Sequence, residues 1–110
     1  MKQNVFIYGL FRDQANPILG QFESLGNDSV KGKIFRVDEF YPGFVPGDGR
    51  VWGEVVSVYE YVIPLLDEYE GHEYDRVKVI TDRGFDCWVY QYKFSVDKFK
   101  EIMKGDWMLR

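Results

Sequence analysis

Apolar positions early in the chain come in unbroken runs, and further on they alternate or recur at helical spacing. Residues 4–8 form a short run with β-branched and aromatic members, which predicts a buried strand. Gly9 then permits a sharp change of backbone direction. Asn16-Pro17 supplies an N-cap followed by proline at a first helical position, and Ile18, Leu19 and Phe22 supply an apolar face. Gly20 weakens this segment, so the expectation is a short helix or an irregular turn. Residues 30–37 predict a second strand, and residues 41–49, dense in proline and glycine, predict a stiff loop packed on the body of the domain.

Residues 51–59 carry the strongest strand pattern. Val51, Gly53, Val55, Ser57 and Tyr59 point one way, and Trp52, Glu54, Val56 and Val58 the other. Apolar residues on both faces imply a largely buried strand, in which Glu54 needs a partner. Val62, Leu65, Leu66 and Tyr69 then share one helical stripe, with Pro64 in the first turn and Gly71 placed to end the helix. Residues 76–81 and 86–94 predict a hairpin around Asp82-Arg83-Gly84. In its second arm Trp88, Tyr90, Tyr92 and Phe94 share one face, and Cys87, Val89 and Gln91 the other. Ser95 as N-cap and Gly105 as stop predict a closing helix over residues 96–103. Strands outnumber helices, and the whole is expected to be a single α+β domain over residues 1–110: a small mixed β-barrel with flanking short helices.

Composition narrows the function classes. With 110 residues, 45% of them hydrophobic and 18% aromatic, the chain can bury a core without a metal or disulfide to hold it. Its one cysteine, Cys87, forms no internal disulfide and fits a reducing compartment. A net charge of −4 argues against nucleic acid as the main partner, because phosphate binding needs a basic surface. The apolar stretch from Val5 to Phe11 is far shorter than a membrane span and is closed by Arg12-Asp13, and no targeting segment is read. The expectation is a cytoplasmic protein without a membrane or nucleic-acid partner. Oligomeric state is not encoded in any feature of the pattern.

Few residues offer chemistry. Nucleophilic catalysis needs a base beside a serine or cysteine, and His72 is the only histidine. Cys87, among apolar strand neighbours, reads as a small buried thiol. Asp67, Glu68, Glu70, His72 and Glu73 crowd together, yet Asp67 and Glu70 point along one helix side and Glu68 along another, and no paired histidine or cysteine spacing supports a metal. Gly43, Gly47 and Gly49 match neither phosphate-binding glycine fingerprint. There remain a tight turn after a strand, at Tyr8-Gly9, whose successive N–H groups can hold a carboxylate or oxyanion, and Glu70 at a helix end. An acid beside the negative end of the helix dipole is expected to have a raised pKa, which suits a group that takes a proton and returns it. A solvated acid on a helix end is the alternative.

These residues also resemble a known family. A first strand ending in Tyr-Gly-Ser/Thr-Leu, often followed by Arg, is matched by Tyr8-Gly9-Leu10-Phe11-Arg12. Leu-Asp-x-x-Glu-Gly is matched by Leu66-Asp67-Glu68-Tyr69-Glu70-Gly71, and a following Tyr-x-Arg by Tyr74-Asp75-Arg76. Tyr41-Pro42-Gly43, Val51-Trp52-Gly53-Glu54-Val55 and Gly105-Asp106-Trp107 are similar to short bacterial members. In this ordered set the chain resembles the gamma-glutamylcyclotransferase-like proteins, including their AIG2-like and BtrG-like branches.

The resemblance implies a small barrel with a pocket between the Tyr-Gly loop and the acidic helix end. It also implies an enzyme of acyl-transferring or lyase type, in which a substrate α-amine attacks its own γ-amide and releases 5-oxoproline and an amine. Glu70 matches the catalytic glutamate. Tyr8, Gly9, Leu10, Phe11 and Tyr74 fall at substrate-binding positions, and no cofactor or metal is implied. The implied partner is a small γ-glutamyl or amino-acid-like ligand. Leu10 departs from the pattern: it replaces a small hydroxyl residue, removing a side-chain hydrogen bond worth roughly 0.5–1.5 kcal/mol. Two other readings therefore stay open, a non-catalytic ligand-binding member of the same fold and a protein-interaction module.

Overall fold

The computed structural model describes residues 1–9 and 22–109. The elements are β1 (Lys2–Ile7), β2 (Phe22–Arg36), β3 (Gly43–Tyr59), α1 (Val62–Glu70), β4 (Tyr74–Ile80), β5 (Asp86–Tyr92), β6 (Lys100–Glu101) and a 3₁₀ turn at Trp107–Leu109. Among the described residues six strands form one mixed sheet in the order β4-β5-β1-β3-β2-β6, curled into a half-barrel with one α-helix, an α+β fold. β1 pairs antiparallel with β3, from Lys2 opposite Tyr59 to Ile7 opposite Glu54, and parallel with β5 at Val5 and Trp88. β3 also reaches β5 directly, at Phe44 and Gln91.

The apolar runs are explained by burial on both faces of this sheet. Val5 and Ile7 of β1, Val56 and Val58 of β3, and Tyr90 and Tyr92 of β5 pack against Val62, Ile63 and Leu66 of the helix. The alternate residues, Phe6 and Tyr8, Val51 and Val55, Cys87 and Val89, turn into the hollow of the half-barrel with Ile34, Phe44 and Trp107. Glu54 finds its partner across the β2–β3 ladder, where Ser24 donates to its carboxylate.

Four sequence expectations change. The stiff loop at 41–49 is mostly strand: β3 begins at Gly43, and only the step between Val45 and Arg50, opposite Lys33 and Lys31, breaks register. Pro46 is tolerated there because a bulge asks for no ladder N–H. The strand expected at 30–37 is the second half of a longer β2 that starts at Phe22 and bulges at Leu25, beside Gly26. The helical stripe is Val62, Ile63 and Leu66, while Leu65 and Tyr69 are 50% and 45% exposed.

The closing helix at 96–103 is absent. Ser95 caps only a local turn, accepting from the Asp97 N–H, and Lys100–Glu101 pairs as β6 with Phe35 and Arg36 on the open edge of β2. The Ile102 N–H then donates to the Ile34 carbonyl, extending the same edge. Edge pairing overrides the local 3–4 spacing of Val96, Phe99 and Ile102. The helix expected after Asn16-Pro17 lies outside the described residues.

After β6 the chain crosses under the sheet and seals the hollow. Gly105 has φ +69°, its carbonyl accepts from the Trp52 N–H, and Trp107 is fully buried with the Arg36 guanidinium over its ring. A Cβ on Gly105 would stand 1.9 Å from the Arg50 carbonyl oxygen, whereas at Gly84, with φ +94°, it would meet nothing within 4 Å. Gly84→Ala therefore carries only the backbone cost, about 1–2 kcal/mol. Gly105→Ala adds a collision with backbone that cannot yield, and is expected to destabilise by about 3 kcal/mol or more. Urea unfolding of both variants checks this; equal losses would mean that the C-terminal crossing is not tightly packed.

Candidate active site

The last turn of α1 carries Glu70 toward the sheet because Glu70 continues the stripe of Ile63 and Leu66, three and then four residues on. An acid thus occupies a position that packing would assign to a hydrophobe. Gly71 ends the helix directly after it, with φ +79° and its N–H bonded to the Asp67 carbonyl. Glu70 faces a cavity of about 450 Å³ whose walls include Tyr8 and Gly9 after β1, Tyr41 and Pro42 before β3, and Tyr74 of β4. Four of the six residues assigned to the site from sequence, Glu70, Tyr8, Gly9 and Tyr74, line this one space; Leu10 and Phe11 lie outside the described residues.

The walls are held by phenols whose hydroxyls are already engaged. Tyr8 donates to the Tyr90 carbonyl at 2.6 Å and accepts from the Phe44 N–H at 3.2 Å. Tyr74 donates to the Pro42 carbonyl at 2.8 Å, and Tyr90 to the Asp67 carboxylate at 2.8 Å. Tyr8 and Tyr74 therefore offer ring surface to an occupant, with their hydroxyls spent on the frame. Gly9 sits at a bend, as the sequence suggested, and has a second reason for being glycine. Its φ is not positive; a Cβ there would lie 2.8 Å from the Pro42 ring, so the strand end and the β3 approach press together.

The electrostatics are those of a carboxyl group out of water. Burial pushes the Glu70 pKa from the ordinary 4.5 up to about 7. The raised value is the one expected of an acid at this helix end, and desolvation is its main cause. The Glu70 charge in turn helps to raise the pKa of Tyr8, Tyr74 and Tyr90, after the larger effect of their own burial. Asp67 is drawn off to Arg76 and Tyr90, and Glu68 is exposed, so the neighbouring acids do not converge on Glu70. Cys87 sits on the far side of the sheet, fully buried, its thiol pushed up to about 12 by burial. A thiolate nucleophile is not available there.

Sequence reasoning missed Tyr41, Leu66, Glu73 and Tyr90 as further wall residues. Tyr41 and Leu66 belong to the quoted motifs. Tyr90 was legible only as one aromatic in an alternating strand.

A curled α+β half-barrel with one desolvated carboxyl in a phenol-lined cavity is the kind of protein this chain is. The family model described as gamma-glutamyl cyclotransferase, AIG2-like, matches residues 5–109. The gamma-glutamylcyclotransferase family protein YtfP of Escherichia coli K12 is 34% identical over 115 aligned residues, covering 96% of each chain. The solution NMR structure of ytfP from Escherichia coli superposes with a TM-score of 0.77 at 32% identity, over 96% of both chains. A crystal structure of an AIG2-like protein from Mus musculus matches with a TM-score of 0.74, covering 89% of this chain and 82% of that one; at 20% identity it speaks for the fold alone. The chain belongs to the gamma-glutamyl cyclotransferase, AIG2-like family. No helix among the described residues is long and apolar enough to cross a membrane.

The raised Glu70 pKa has a consequence for stability that is independent of any substrate. Between about pH 4.5 and 7 the native carboxyl keeps a proton that the unfolded one has released, so its contribution is full below about 4.5 and gone above about 7. The whole effect is on the order of 3 kcal/mol. The stability of Glu70→Gln relative to the native protein should therefore improve by about 2–3 kcal/mol between pH 5 and pH 8 in denaturant titrations. A gap that stays constant with pH would mean that Glu70 is solvated.

Proposed function

We propose that the protein is a γ-glutamyl-amine cyclotransferase in which Glu70 carries the proton. The observation that supports this most is the placement of one partly buried carboxyl, with its pKa near 7, on the wall of a cavity also lined by Tyr8, Gly9 and Tyr74. A group poised near neutrality can both accept and return a proton in one cycle.

In the reaction, the substrate α-ammonium gives one proton to the Glu70 carboxylate. The free amine attacks the γ-amide carbonyl, and a C–N bond closes the five-membered ring. Glu70 then protonates the leaving nitrogen as the old amide C–N bond breaks. The remaining extra proton on the ring nitrogen passes to the regenerated carboxylate and on to solvent, leaving 5-oxoproline and the free amine. Attack within one molecule lets positioning supply much of the rate, up to about 7–11 kcal/mol in ideal intramolecular systems. Backbone N–H groups of Gly9, Leu10 and Phe11 serve to hold the substrate carboxylate or the developing oxyanion, and the rings of Tyr8 and Tyr74 to fold the chain of the γ-glutamyl group.

Leu10, in place of a small hydroxyl residue, favours one second reading: the same cavity binding an amino-acid-like ligand without turnover. Purified protein and Glu70→Gln, offered a panel of γ-glutamyl amines and dipeptides, separate the two. The native protein should release 5-oxoproline, with kcat/KM rising with pH through about 7 as Glu70 deprotonates, and Glu70→Gln should lose at least about 100-fold. Thermal stabilisation by a ligand recovered unaltered would favour binding alone. Equal release by both proteins would remove Glu70 from the chemistry.

A further inference from the structure

Asp67 stands one turn before Glu70, yet its carboxylate is turned to the sheet and not into the cavity. Arg76 of β4 grips it with two prongs, Nε at 2.8 Å and Nη2 at 3.2 Å, and the Tyr90 hydroxyl of β5 donates to the same Oδ1 at 2.8 Å. The grip is itself anchored. The Arg76 guanidinium lies 4.1 Å from the Trp88 ring centroid, and the Trp88 indole N–H donates to Gln3 on β1 at 3.0 Å. The Tyr90 carbonyl is in turn the acceptor for Tyr8. One carboxylate thus ties the end of α1 to three strands that bound the cavity.

This clamp is more elaborate than helix stability requires. Arg76 and Asp67 both keep some exposure, and an ion pair of that kind contributes little net stability. Its fork geometry, however, fixes orientation. The residue that needs orienting is Glu70, the last residue of a nine-residue helix, where fraying begins. We infer that Asp67 is the positioning residue for the Glu70 carboxyl, acting through Arg76 and Tyr90 to hold the last turn of α1 against the cavity. The kinetic part of this inference rests on Glu70 as proton carrier; the positional part does not.

The titration of Glu70 reports its position. The groups around it are Tyr8 from β1, Tyr74 from β4 and Tyr90 from β5, with Tyr41, His72 and Glu73 on the same cavity wall; Arg76 is taken up by Asp67. With the clamp cut, the last turn loosens, Glu70 reaches water, and its midpoint falls. The experiment is a carboxyl ¹³C NMR titration of Glu70 in the native protein, Asp67→Asn and Tyr90→Phe, with circular dichroism to establish folding. The native midpoint should lie near 7 and drop by about one unit or more in Asp67→Asn, with a smaller drop of the same sign in Tyr90→Phe. On the best γ-glutamyl amine, kcat for Asp67→Asn should fall about tenfold or more while KM changes by less than about threefold. An unchanged midpoint in folded Asp67→Asn overturns the inference; if that variant does not fold, Tyr90→Phe and Arg76→Lys are judged by the same criterion. Midpoints that shift while even the native protein releases no 5-oxoproline uphold the positioning role and sink the proton-carrier reading instead.

Discussion

The single hydroxyl of Tyr8 meets two obligations that the curl of the sheet creates. Where β1 ends its pairing at Ile7, β3 and β5 come together at Phe44 and Gln91, and the Tyr90 carbonyl and Phe44 N–H beside that junction are buried. Buried backbone groups must be paired, and an unpaired one costs on the order of 1–3 kcal/mol. Tyr8 donates to the first and accepts from the second, so a phenol at the end of one strand closes the seam between two others. Everything on the cavity's sheet side follows from that seam. Gly9 is pressed against Pro42, and Tyr74 reaches across to the Pro42 carbonyl. On this side the cavity is framed by strand ends tied together by buried hydrogen bonds.

The opposite wall obeys a different constraint. A short amphipathic helix buries its stripe, and whatever residue extends that stripe is carried to the sheet regardless of its chemistry. Val62, Ile63 and Leu66 are apolar; Glu70 is not. The packing energy of the first three pulls the carboxyl out of water, and the carboxyl answers by holding its proton to about pH 7. The fold thereby spends some stability to keep an acid on the cavity wall, a local inconsistency of the sort expected where a site lies.

Legibility in the sequence followed the range of the interactions. β1, the core of β3 and the β4–β5 hairpin were readable because burial on both faces leaves dense apolar runs with turn residues between them. The site could be assigned to Tyr8, Gly9, Tyr74 and Glu70 because a resemblance carried the pairing of distant segments, which periodicity alone cannot supply. Misreadings arose where distant partners decide. Residues 96–103 have helical spacing, but the open edge of β2 recruits Lys100 and Glu101. Gly43 and its neighbours look like a loop until the length of β2 demands a partner. The expected stripe of Val62, Leu65, Leu66 and Tyr69 includes Leu65 and Tyr69 because they are apolar, and that choice hides the more telling fact that Glu70 lines the cavity.

Asp67 and Glu70 make the role of environment plain. They are the same functional group, three residues apart on one helix. One faces a guanidinium and a phenol, and its charge is satisfied by three hydrogen bonds. The other faces aromatic rings, and among the described residues no cation is paired with it. Acid–base assignments arise when neighbouring carboxyls are pushed into unlike surroundings. Here the division has a mechanical side too, because the ion-paired acid anchors the turn on which the desolvated one rides. Exchanging their surroundings would not exchange their roles, since Glu70 ends the helix and has no turn beyond it to hold. The order Asp-x-x-Glu-Gly therefore matters as an order: anchor first, poised acid next, and a glycine that stops the helix before the acid can be carried past the cavity.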